Sequence, residues 1–421
     1  MSISWTYRVQ NLSLRLWRRL PGWLRVRLKD VNGLWSRPFS AGGESVAPIQ
    51  AHDVQGGTIL CFPIIDWGMR IQRPQQLLAR LAAKGHRVYY VSKDFREAHT
   101  ASLTALARNV RGLALPGRAR LNIYRESPGA SDVETWLAAL ETVRQSEGFD
   151  RVVSFVQWPF WTPLALAARE RWGWKVIYDC VDEHSGYEVA APEVLELEQA
   201  LIGRSDLVLA TSKPLFEKCS RTARRCRLLG NAGDFEHFHR PSGKRVLTGL
   251  SGPVIGYYGA LAEWFASDFV EAAARAHPEW QFVLIGLNSG AELRGVAKLG
   301  NVHLLGEKPY ATLPDFLRRF DVATIPFRVD RLTRATNPIK FFEYLSAGKP
   351  VVAADLPELD AYRALIYVAR TPGEFVTQIE RALAEKDPEI VARREALARS
   401  NSWDDRVAVL ESLIAELSPR T

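Results

Sequence analysis

Two charged side chains stand out inside an apolar stretch, NPIKFFEYLSAGKPVV, at residues 337–352. Lys340 and Glu343 are three residues apart, so on a helix they share one face. Asn337 is predicted to cap this helix and Pro338 to occupy its first turn, while the glycine and proline of AGKP end it. The pair is either a surface ion pair worth about 0.2–0.5 kcal/mol or part of a binding site.

A second group of ionisable side chains follows the apolar stretch KVIY, in YDCVDEHSGY. Within six residues it contains Asp179, Asp182, Glu183 and His184. Repulsion between close carboxylates raises their pKa values, which suits a general base. The alternative is structural, with an aspartate capping the next helix and the histidine packed in the core. Asp66, which follows an earlier apolar stretch in IIDWGMR, is a further candidate base.

Both groups lie where buried strands are predicted to end. From residue 58, apolar runs such as TILCFPII and RVYYVS alternate with helical patterns such as RPQQLLARLAAKGH. A second alternation begins at residue 253 with PVIGYYGAL and continues through DVATIPF to PVVAAD. Such alternation is typical of parallel sheets with helices on both faces. We therefore predict two doubly wound α/β domains, with ligands bound in the crevice between them.

The first 43 residues carry most of the positive charge. They contain eight Arg or Lys and one acid, a net charge of +7 out of +8 for the whole chain. Trp5, Val9, Leu12, Leu16 and Leu20 fall on one helical stripe beside several arginines. This pattern predicts a basic amphipathic helix on an anionic membrane surface, with packing on protein as the alternative. Because the basic residues are confined to this segment, we predict no nucleic-acid partner.

Composition excludes several other classes of protein. The chain has 421 residues with 47% hydrophobic and 24% charged residues, which is ordinary for a globular protein of two or three domains. No apolar run approaches the ~20 residues that a transmembrane helix needs. The arginines of the first segment also argue against a secretory signal. The four cysteines lack metal-ligand spacing, which favours reduced cytosolic thiols.

Several motifs resemble those of the group 1 or family 4 type of bacterial nucleotide-sugar glycosyltransferases, which have the GT-B fold. FDVATIPF followed by NPIKFFEYLSAGKPVVA carries most of the resemblance, and GPVIGYYGALAEW and LLGNAGDFEHF add to it. WGMRIQRPQQLLARLAAKGHRVYYV and YDCVDEHSGY resemble an exopolysaccharide and teichuronic-acid branch. Together with the charge pattern and the alternation, the resemblance predicts four parts: an N-terminal segment and linker (1–50), an acceptor domain (57–240), a donor domain (251–400) and a C-terminal helix (401–421).

The resemblance assigns a role to the opening helix. In the family, a carboxylate on this helix accepts hydrogen bonds from the ribose hydroxyls of the donor nucleotide, and Glu343 holds that position. The helix N-terminus suits a diphosphate, and Lys340 lies one turn in. Further residues predicted to bind the donor are Gly259, Lys308, Arg334, Thr336 and Asn337.

The sequence also departs from the family pattern. Retaining members usually carry two glutamates eight residues apart, but Ala335 occupies the first position. The loop GALAEWFASD lacks the Arg and Lys that many members have after the first strand of the donor domain. Phosphate charge must then be met by Arg334, Lys340 and the helix N-terminus, with Lys308 as a further cation. Whether the enzyme inverts or retains stays undecided.

An inverting displacement needs a carboxylate base from the acceptor domain, for which Asp182, Glu183 and Asp66 are the candidates. In VQWPFWTP, Trp158 and Trp161 are predicted to stack on an acceptor sugar with His184 nearby, and packing in the core is the alternative. No Asp-x-Asp motif occurs in a suitable place. We therefore predict no essential metal, and no cofactor beyond the nucleotide-sugar substrate.

The sequence as a whole predicts a cytoplasmic enzyme that lies on the inner face of the plasma membrane. It would transfer a sugar from a nucleoside diphosphate, most simply UDP, to a lipid-linked or growing cell-surface polysaccharide. Two other functions stay open. A nucleotide-sugar epimerase shares the fold but gains nothing from a membrane helix, and a non-catalytic glycan-binding subunit would explain the alanine at position 335.

Overall fold

The structure is a computed structural model that describes residues 56–119, 121–187, 192–240 and 243–417. The predicted amphipathic helix and the linker after it lie outside the described residues. Within the described ranges, each helix is too short or too polar to cross a membrane.

The first of two sheets has eight strands: β1 (Thr58–Phe62), β2 (Arg87–Val91), β3 (Ser102–Ala107), β4 (Val110–Ala114), β5 (Val152–Val156), β6 (Lys175–Cys180), β7 (Leu207–Ala210) and β8 (Cys226–Leu228). Their spatial order is β3-β4-β2-β1-β5-β6-β7-β8. Every neighbouring pair is parallel except β3 and β4. The central strands are buried on both faces, which is why they are continuous apolar runs rather than alternating ones.

From residue 56 on, the described part of this half of the chain has six helices: α1 (Arg73–Ala83), α2 (Ala130–Ser146), α3 (Thr162–Trp172), α4 (Pro192–Arg204), α5 (Lys213–Ser220) and α6 (Phe235–His239). Helix α1 begins with a proline in its first turn, where a missing N–H costs nothing. Its apolar face, Leu77, Leu78 and Leu81, is fully buried in a core on one side of the sheet.

The second sheet has six strands, all parallel: β9 (Val254–Tyr258), β10 (Gln281–Ile285), β11 (Val302–Gly306), β12 (Val322–Ile325), β13 (Val351–Ala354) and β14 (Tyr367–Ala369). The strand order is β11-β10-β9-β12-β13-β14. The helices that follow are α7 (Ser267–Ala276), α8 (Leu313–Arg319), α9 (Arg331–Arg334), α10 (Ile339–Ser346), α11 (Pro372–Leu383), α12 (Pro388–Arg399) and α13 (Trp403–Leu417).

The last helix returns to the first sheet. Trp403, Val407 and Leu410 of α13 are fully buried in the same core as Leu77 of α1. The chain therefore crosses between the two sheets twice, once near residue 240 and once just before residue 403. The predicted fold class, two parallel α/β sheets, is confirmed, and the β3–β4 antiparallel pair at the sheet edge is an addition that the sequence pattern did not reveal.

Candidate active site

Helix α10 carries the charged pair that the sequence singled out, and it begins differently from the prediction. The residue at its N-cap is Pro338, with an extended backbone and no side-chain cap. Asn337 does not cap the helix. Its Oδ1 accepts a hydrogen bond from the backbone N–H of Asn231 at 3.1 Å, and its Nδ2 donates to Glu358 at 2.8 Å. The asparagine thus ties α10 to the chain that leaves the first sheet. The predicted glycine stop is confirmed, since Gly348 has a φ of 65° just beyond the helix.

Glu343 is a buried carboxylate with little compensation. It is 5% exposed, and its one hydrogen bond among the described residues comes from the hydroxyl of Tyr258, at 2.9 Å. Burial raises the pKa of the Glu343 carboxyl to about 7, although the Tyr258 hydrogen bond and the charge of Lys340 oppose the shift. A carboxylate in this state gains from any ligand that donates hydrogen bonds to it.

Lys340 lies one turn earlier, between aromatic rings and a glycine. Its Nζ is 5.6 Å from the ring centroid of Tyr257 and 5.2 Å from that of Phe327. Burial lowers the pKa of the Lys340 ammonium to about 8; the charge of Glu343 opposes this shift and that of Arg70 adds to it. Among the described residues, no carboxylate forms an ion pair with this ammonium. Lys340 and Glu343 are therefore not the surface ion pair of the simpler interpretation.

Glycine turns at the carboxyl ends of three adjacent strands line the space beside Lys340. Gly259, Gly286 and Gly306 follow or end β9, β10 and β11, with φ values of 145°, 153° and 67°. A Cβ on Gly259 would lie 2.7 Å from Cε of Lys340, and one on Gly286 would lie 1.8 Å from the carbonyl oxygen of Gly259. Side chains are therefore excluded here, so a ligand can approach the backbone closely.

Side chains from the first sheet reach across to this edge. Arg70, in the loop between β1 and α1, forms an ion pair through its Nε with Glu307, which directly follows Gly306. Gln76 of α1 donates a hydrogen bond to the hydroxyl of Tyr310 at 3.0 Å. Burial raises the pKa of Tyr310, and the charge of Glu343 adds to the shift. The two halves of the chain thus contact each other just after β11, at Glu307 and Tyr310.

The other predicted donor residues lie around this edge with different surroundings. Lys308 is half-buried and lies two residues after Gly306. Arg334 is exposed at the end of the short helix α9. The hydroxyl of Thr336 donates to the carbonyl of Leu332 at 3.0 Å, so it serves the local turn. Contact of these three residues with a donor stays a prediction.

The acidic cluster after β6 divides into side chains with different partners. Asp179 is fully buried and accepts hydrogen bonds from Nε and Nη2 of Arg73 and from Gln157. Glu183 accepts from Ser185 and from Lys218, the latter at 3.0 Å. Burial alone would raise the pKa of Glu183, but these partners outweigh it and hold the pKa below its usual value. Neither residue has the environment of a general base.

Asp182 is the member of the cluster that keeps a base-like character. Its Oδ2 accepts a hydrogen bond from the hydroxyl of Tyr187 at 2.8 Å. Burial raises the pKa of Asp182 to about 6, against the effect of that hydrogen bond. The sequence argument attributed such a shift to repulsion among the four groups. That cause is wrong, because Asp179 and Glu183 are paired with cations. Burial is what raises the pKa of Asp182.

The turn that follows Asp182 lies against the second half of the chain. The 3₁₀ turn His184–Gly186 lies against α9, where a Cβ on Gly186 would be 2.9 Å from Cβ of Leu332. The charge of Glu263, in the loop after Gly259, adds to the rise in the pKa of Tyr187 that burial causes. The pair of Asp182 and Tyr187 thus lies within reach of the charge of Glu263.

Asp66, the other candidate base, is bound to a lysine. Its Oδ2 lies 3.2 Å from Nζ of Lys93, and its Oδ1 accepts from the backbone N–H of the same residue at 3.3 Å. Burial raises the pKa of Asp66, and Lys93 opposes the shift.

The aromatic side chains predicted to stack on an acceptor sugar belong to the core. Trp158 is 2% exposed and Trp161 is fully buried, and their indole N–H groups donate to the carbonyls of Ile123 and Pro63. His184 is also fully buried, with its ring 4.9 Å from that of Trp158, and burial lowers its pKa to about 4. No face of these rings is open to a sugar, so the stacking prediction is wrong and the core alternative holds.

Position 335 is also buried and offers no access to a ligand. Ala335 is 4% exposed and packs with the apolar core of the first sheet. A glutamate there would place a charge among apolar side chains. In the described part of the chain, no group of three His, Cys, Asp or Glu side chains is arranged to hold a metal ion.

Sequence reasoning missed Arg70 and Tyr258. The arginine follows IIDWGM in a loop, and only the folded chain brings it to Glu307, 237 residues away. Tyr258 could have been predicted from the motif YYG. Successive side chains of a strand point to opposite faces, so one of the two tyrosines had to point toward α10.

Two family models match the chain. The model described as "Glycosyl transferase 4-like domain" matches residues 71–231, and that described as "Glycosyl transferases group 1" matches residues 252–385. A teichuronic acid biosynthesis glycosyltransferase, TuaH, of Bacillus subtilis (strain 168) is 24% identical over 254 residues. That match covers 55% of this chain and 64% of the relative, so the chain spans less than two thirds of it.

Solved structures share the architecture. Sucrose-phosphate synthase from Thermosynechococcus elongatus superposes with a TM-score of 0.65 at 16% identity, covering 86% of this chain and 99% of that one. A trehalose-6-phosphate protein from E. coli, bound with UDP-2-fluoro glucose, gives 0.63 at 13% identity, covering 86% and 100%. At these identities the likeness shows the fold alone. With its two domains matched in order, the chain belongs to the group 1 and family 4-like glycosyltransferases and has the GT-B fold.

Proposed function

We propose that this glycosyltransferase moves a sugar from a UDP-linked donor to a lipid-linked or growing cell-surface polysaccharide. The observation that carries the donor half is the environment of α10. Among the residues that the structure describes, Glu343 is buried with one hydrogen bond, and no carboxylate pairs with the charge of Lys340 beside the turn at Gly259. A ribose diol would donate to the carboxylate, and a diphosphate would lie between Lys340 and the helix N-terminus.

The acceptor half of the proposal depends on Asp182 and on the relative's name. A carboxylate with a pKa of about 6 is ionised at neutral pH and still basic enough to take a proton from a sugar hydroxyl. We propose that Asp182 does so while the oxygen attacks the anomeric carbon and the nucleoside diphosphate leaves. This is a single, inverting displacement, consistent with alanine at position 335. TuaH is named for teichuronic acid, a cell-surface polymer, which supports an acceptor of that class.

Membrane attachment through residues 1–43 is part of the same proposal. It is based on the net charge of +7 and on the tryptophans of this segment. A lipid-linked acceptor lies at the bilayer, so a cytoplasmic enzyme held on the inner face of the plasma membrane would meet it there. Deletion of these residues should release the protein from anionic vesicles and leave UDP binding intact. Sedimentation of the truncated protein with vesicles would contradict this attachment.

The direct experiment is turnover of UDP-sugars with and without a polyprenyl-linked glycan acceptor. The proposal predicts UDP release that depends on the acceptor, and inversion at the anomeric carbon by proton NMR. Conversion of the donor sugar without acceptor would favour the epimerase alternative instead. Binding of glycan with no turnover of any nucleotide sugar would favour the glycan-binding alternative.

A further inference from the structure

The diphosphate site outlined above is short of positive charge. The loop after β9, GALAEWFASD, contains no Arg or Lys, and Asn337 is bound to Asn231 and Glu358. Among the described residues, Lys340 is the cation whose side chain meets Gly259 directly. A diphosphate carries more charge than one lysine neutralises, and proteins usually add an arginine, whose planar fork matches phosphate oxygens.

Arg70 is positioned to be that arginine, although it belongs to the other half of the molecule. It lies in the loop after β1, at the carboxyl edge of the first sheet. Its Nε pairs with Glu307, the residue after Gly306. The carbonyl of Gly306 accepts from the N–H of Gly286 at 3.0 Å, and Gly286 packs directly on Gly259. The glycine turns therefore connect the partner of Arg70 to the turn that contacts Lys340.

The fork of Arg70 is available for a ligand. Among the described residues, only its Nε donates a hydrogen bond, so both terminal nitrogens keep their donors. The side chain is 22% exposed and its partner Glu307 is 47% exposed, so the ion pair lies at the rim of the cleft. The charge of Arg70 opposes the burial-driven rise in the pKa of Tyr257, whose hydroxyl would lie 2.8 Å from a Cβ on Gly259. The charge of Arg70 therefore acts on the side chain that lies beside Gly259.

We propose that Arg70 is the second cation of the diphosphate site, contributed across the cleft by the acceptor domain. The inference rests on the proposed function, since it names a further ligand for the same donor. In the structure Glu307 holds the guanidinium at the rim. When the donor is bound, the terminal nitrogens of Arg70 donate to its phosphate oxygens, so the donor is held by both domains at once.

Calorimetric titration with UDP and with uridine tests this assignment in three variants at the ion pair, with Lys340→Ala for comparison and one control. Arg70→Ala should weaken UDP binding by about 10- to 100-fold, the range for a charge-assisted hydrogen bond, and change uridine by less than about 2-fold. Arg70→Lys should fall between wild type and Arg70→Ala, because it keeps the charge and loses the fork. Glu307→Gln should leave UDP binding as strong as wild type or stronger, since it frees Arg70.

Lys84→Ala is the matched control, because it removes an ion pair between α1 and α13, with Glu411, away from the glycine turns. It should change neither ligand. Thermal melts check that each variant folds. If Arg70→Ala does not fold, Arg70→Lys still tests the assignment.

If Arg70→Ala and Glu307→Gln weaken UDP and uridine equally, Arg70 is only a tie between domains and the inference is overturned. If Arg70→Ala binds UDP normally while Lys340→Ala does not, the inference fails and the proposed function stands. If the wild type binds no nucleoside diphosphate, the proposed function fails and the inference falls with it.

Discussion

Two buried carboxylates, Asp179 in β6 and Glu343 in α10, differ in what compensates their burial. Asp179 receives hydrogen bonds from Arg73 and Gln157, and Arg73 continues to the carbonyl of Gly230 and to Asn231. Glu343 receives one, from Tyr258. Burial without a cation is costly, and such a group is retained when a ligand completes it. We infer that Asp179 serves the fold, and Glu343 remains the proposed ligand of the donor.

The same distinction separates Asp182 from its neighbours, and here the largest effect is expected. Asp182→Asn should reduce turnover by roughly two to four powers of ten, because general base catalysis is lost, with UDP affinity nearly unchanged. Steady-state kinetics with acceptor present measure it. Glu183→Gln is the control, since that carboxylate is neutralised by Lys218. A near-normal rate for Asp182→Asn would transfer the role to Asp66 or remove it.

Asp179→Asn should act on folding instead. The change leaves the guanidinium of Arg73 buried without its anion, and removal of one partner from a buried ion pair costs about 3–5 kcal/mol. Chemical denaturation should show a loss of this order in the free energy of unfolding. An unchanged midpoint would mean that the hydrogen bonds of Arg73 to Gly230 and Asn231 suffice, and the contrast with Glu343 would be lost.

Glu343→Gln should change the free energy of unfolding in the opposite direction and stabilise the protein. The folded-state pKa of about 7 lies above the ordinary value of 4.5, so ionised Glu343 destabilises the native state. This cost is absent below about pH 4.5, grows as the pH rises to about 7 and is then constant. At pH 8 the glutamine variant should therefore be more stable by about 1–3 kcal/mol, as measured by denaturation at several pH values. A loss of stability at pH 8 would contradict the assignment of Glu343 as an uncompensated charge.

Glu343→Ala should weaken uridine and UDP alike, by roughly 10- to 100-fold, because the lost hydrogen bonds go to the ribose. Glu271→Ala is a suitable control. That residue forms a helix-surface ion pair with Arg275 at i, i+4, the kind of pair that Glu343 would make if the simpler interpretation were right. Normal binding of both ligands by Glu343→Ala would restore that interpretation.

The sequence predicted what local pattern controls. Continuous apolar runs and helical periods between them predicted both parallel sheets, and the spacing of Lys340 and Glu343 placed the pair on one helix face. Helices α5, α11 and α12 and strands β3, β4 and β14 are among the elements that were missed. In β3 and β4, the residues TASLTALARNVRGLAL lack a strong alternating pattern, and the pair forms only by packing at the sheet edge.

The site was less predictable, because its properties depend on which distant side chains meet. Asp179 and Asp182 are three residues apart, and nothing in the local sequence distinguishes their roles. Their environments differ because Arg73, which is distant in sequence, binds Asp179 in the folded chain. Trp158 and Trp161 follow a strand. Aromatic side chains at such positions either pack in a core or bind a ligand, and the sequence does not distinguish the two. Asn337 has the type and position of a helix cap, yet its partner is 106 residues away.

The central claim, that α10 holds the donor through Lys340 and Glu343, is tested most directly by titrating Lys340→Ala with uridine and with UDP. Lys349→Ala is the matched control. Burial lowers the pKa of Lys349 to about 8 as well, but its ammonium donates to the carbonyls of Arg318 and Phe320. We predict that Lys340→Ala weakens UDP by at least about tenfold more than uridine, while Lys349→Ala leaves that ratio at its wild-type value. Equal losses for uridine and UDP in Lys340→Ala would show that Lys340 does not bind phosphate and would contradict the account.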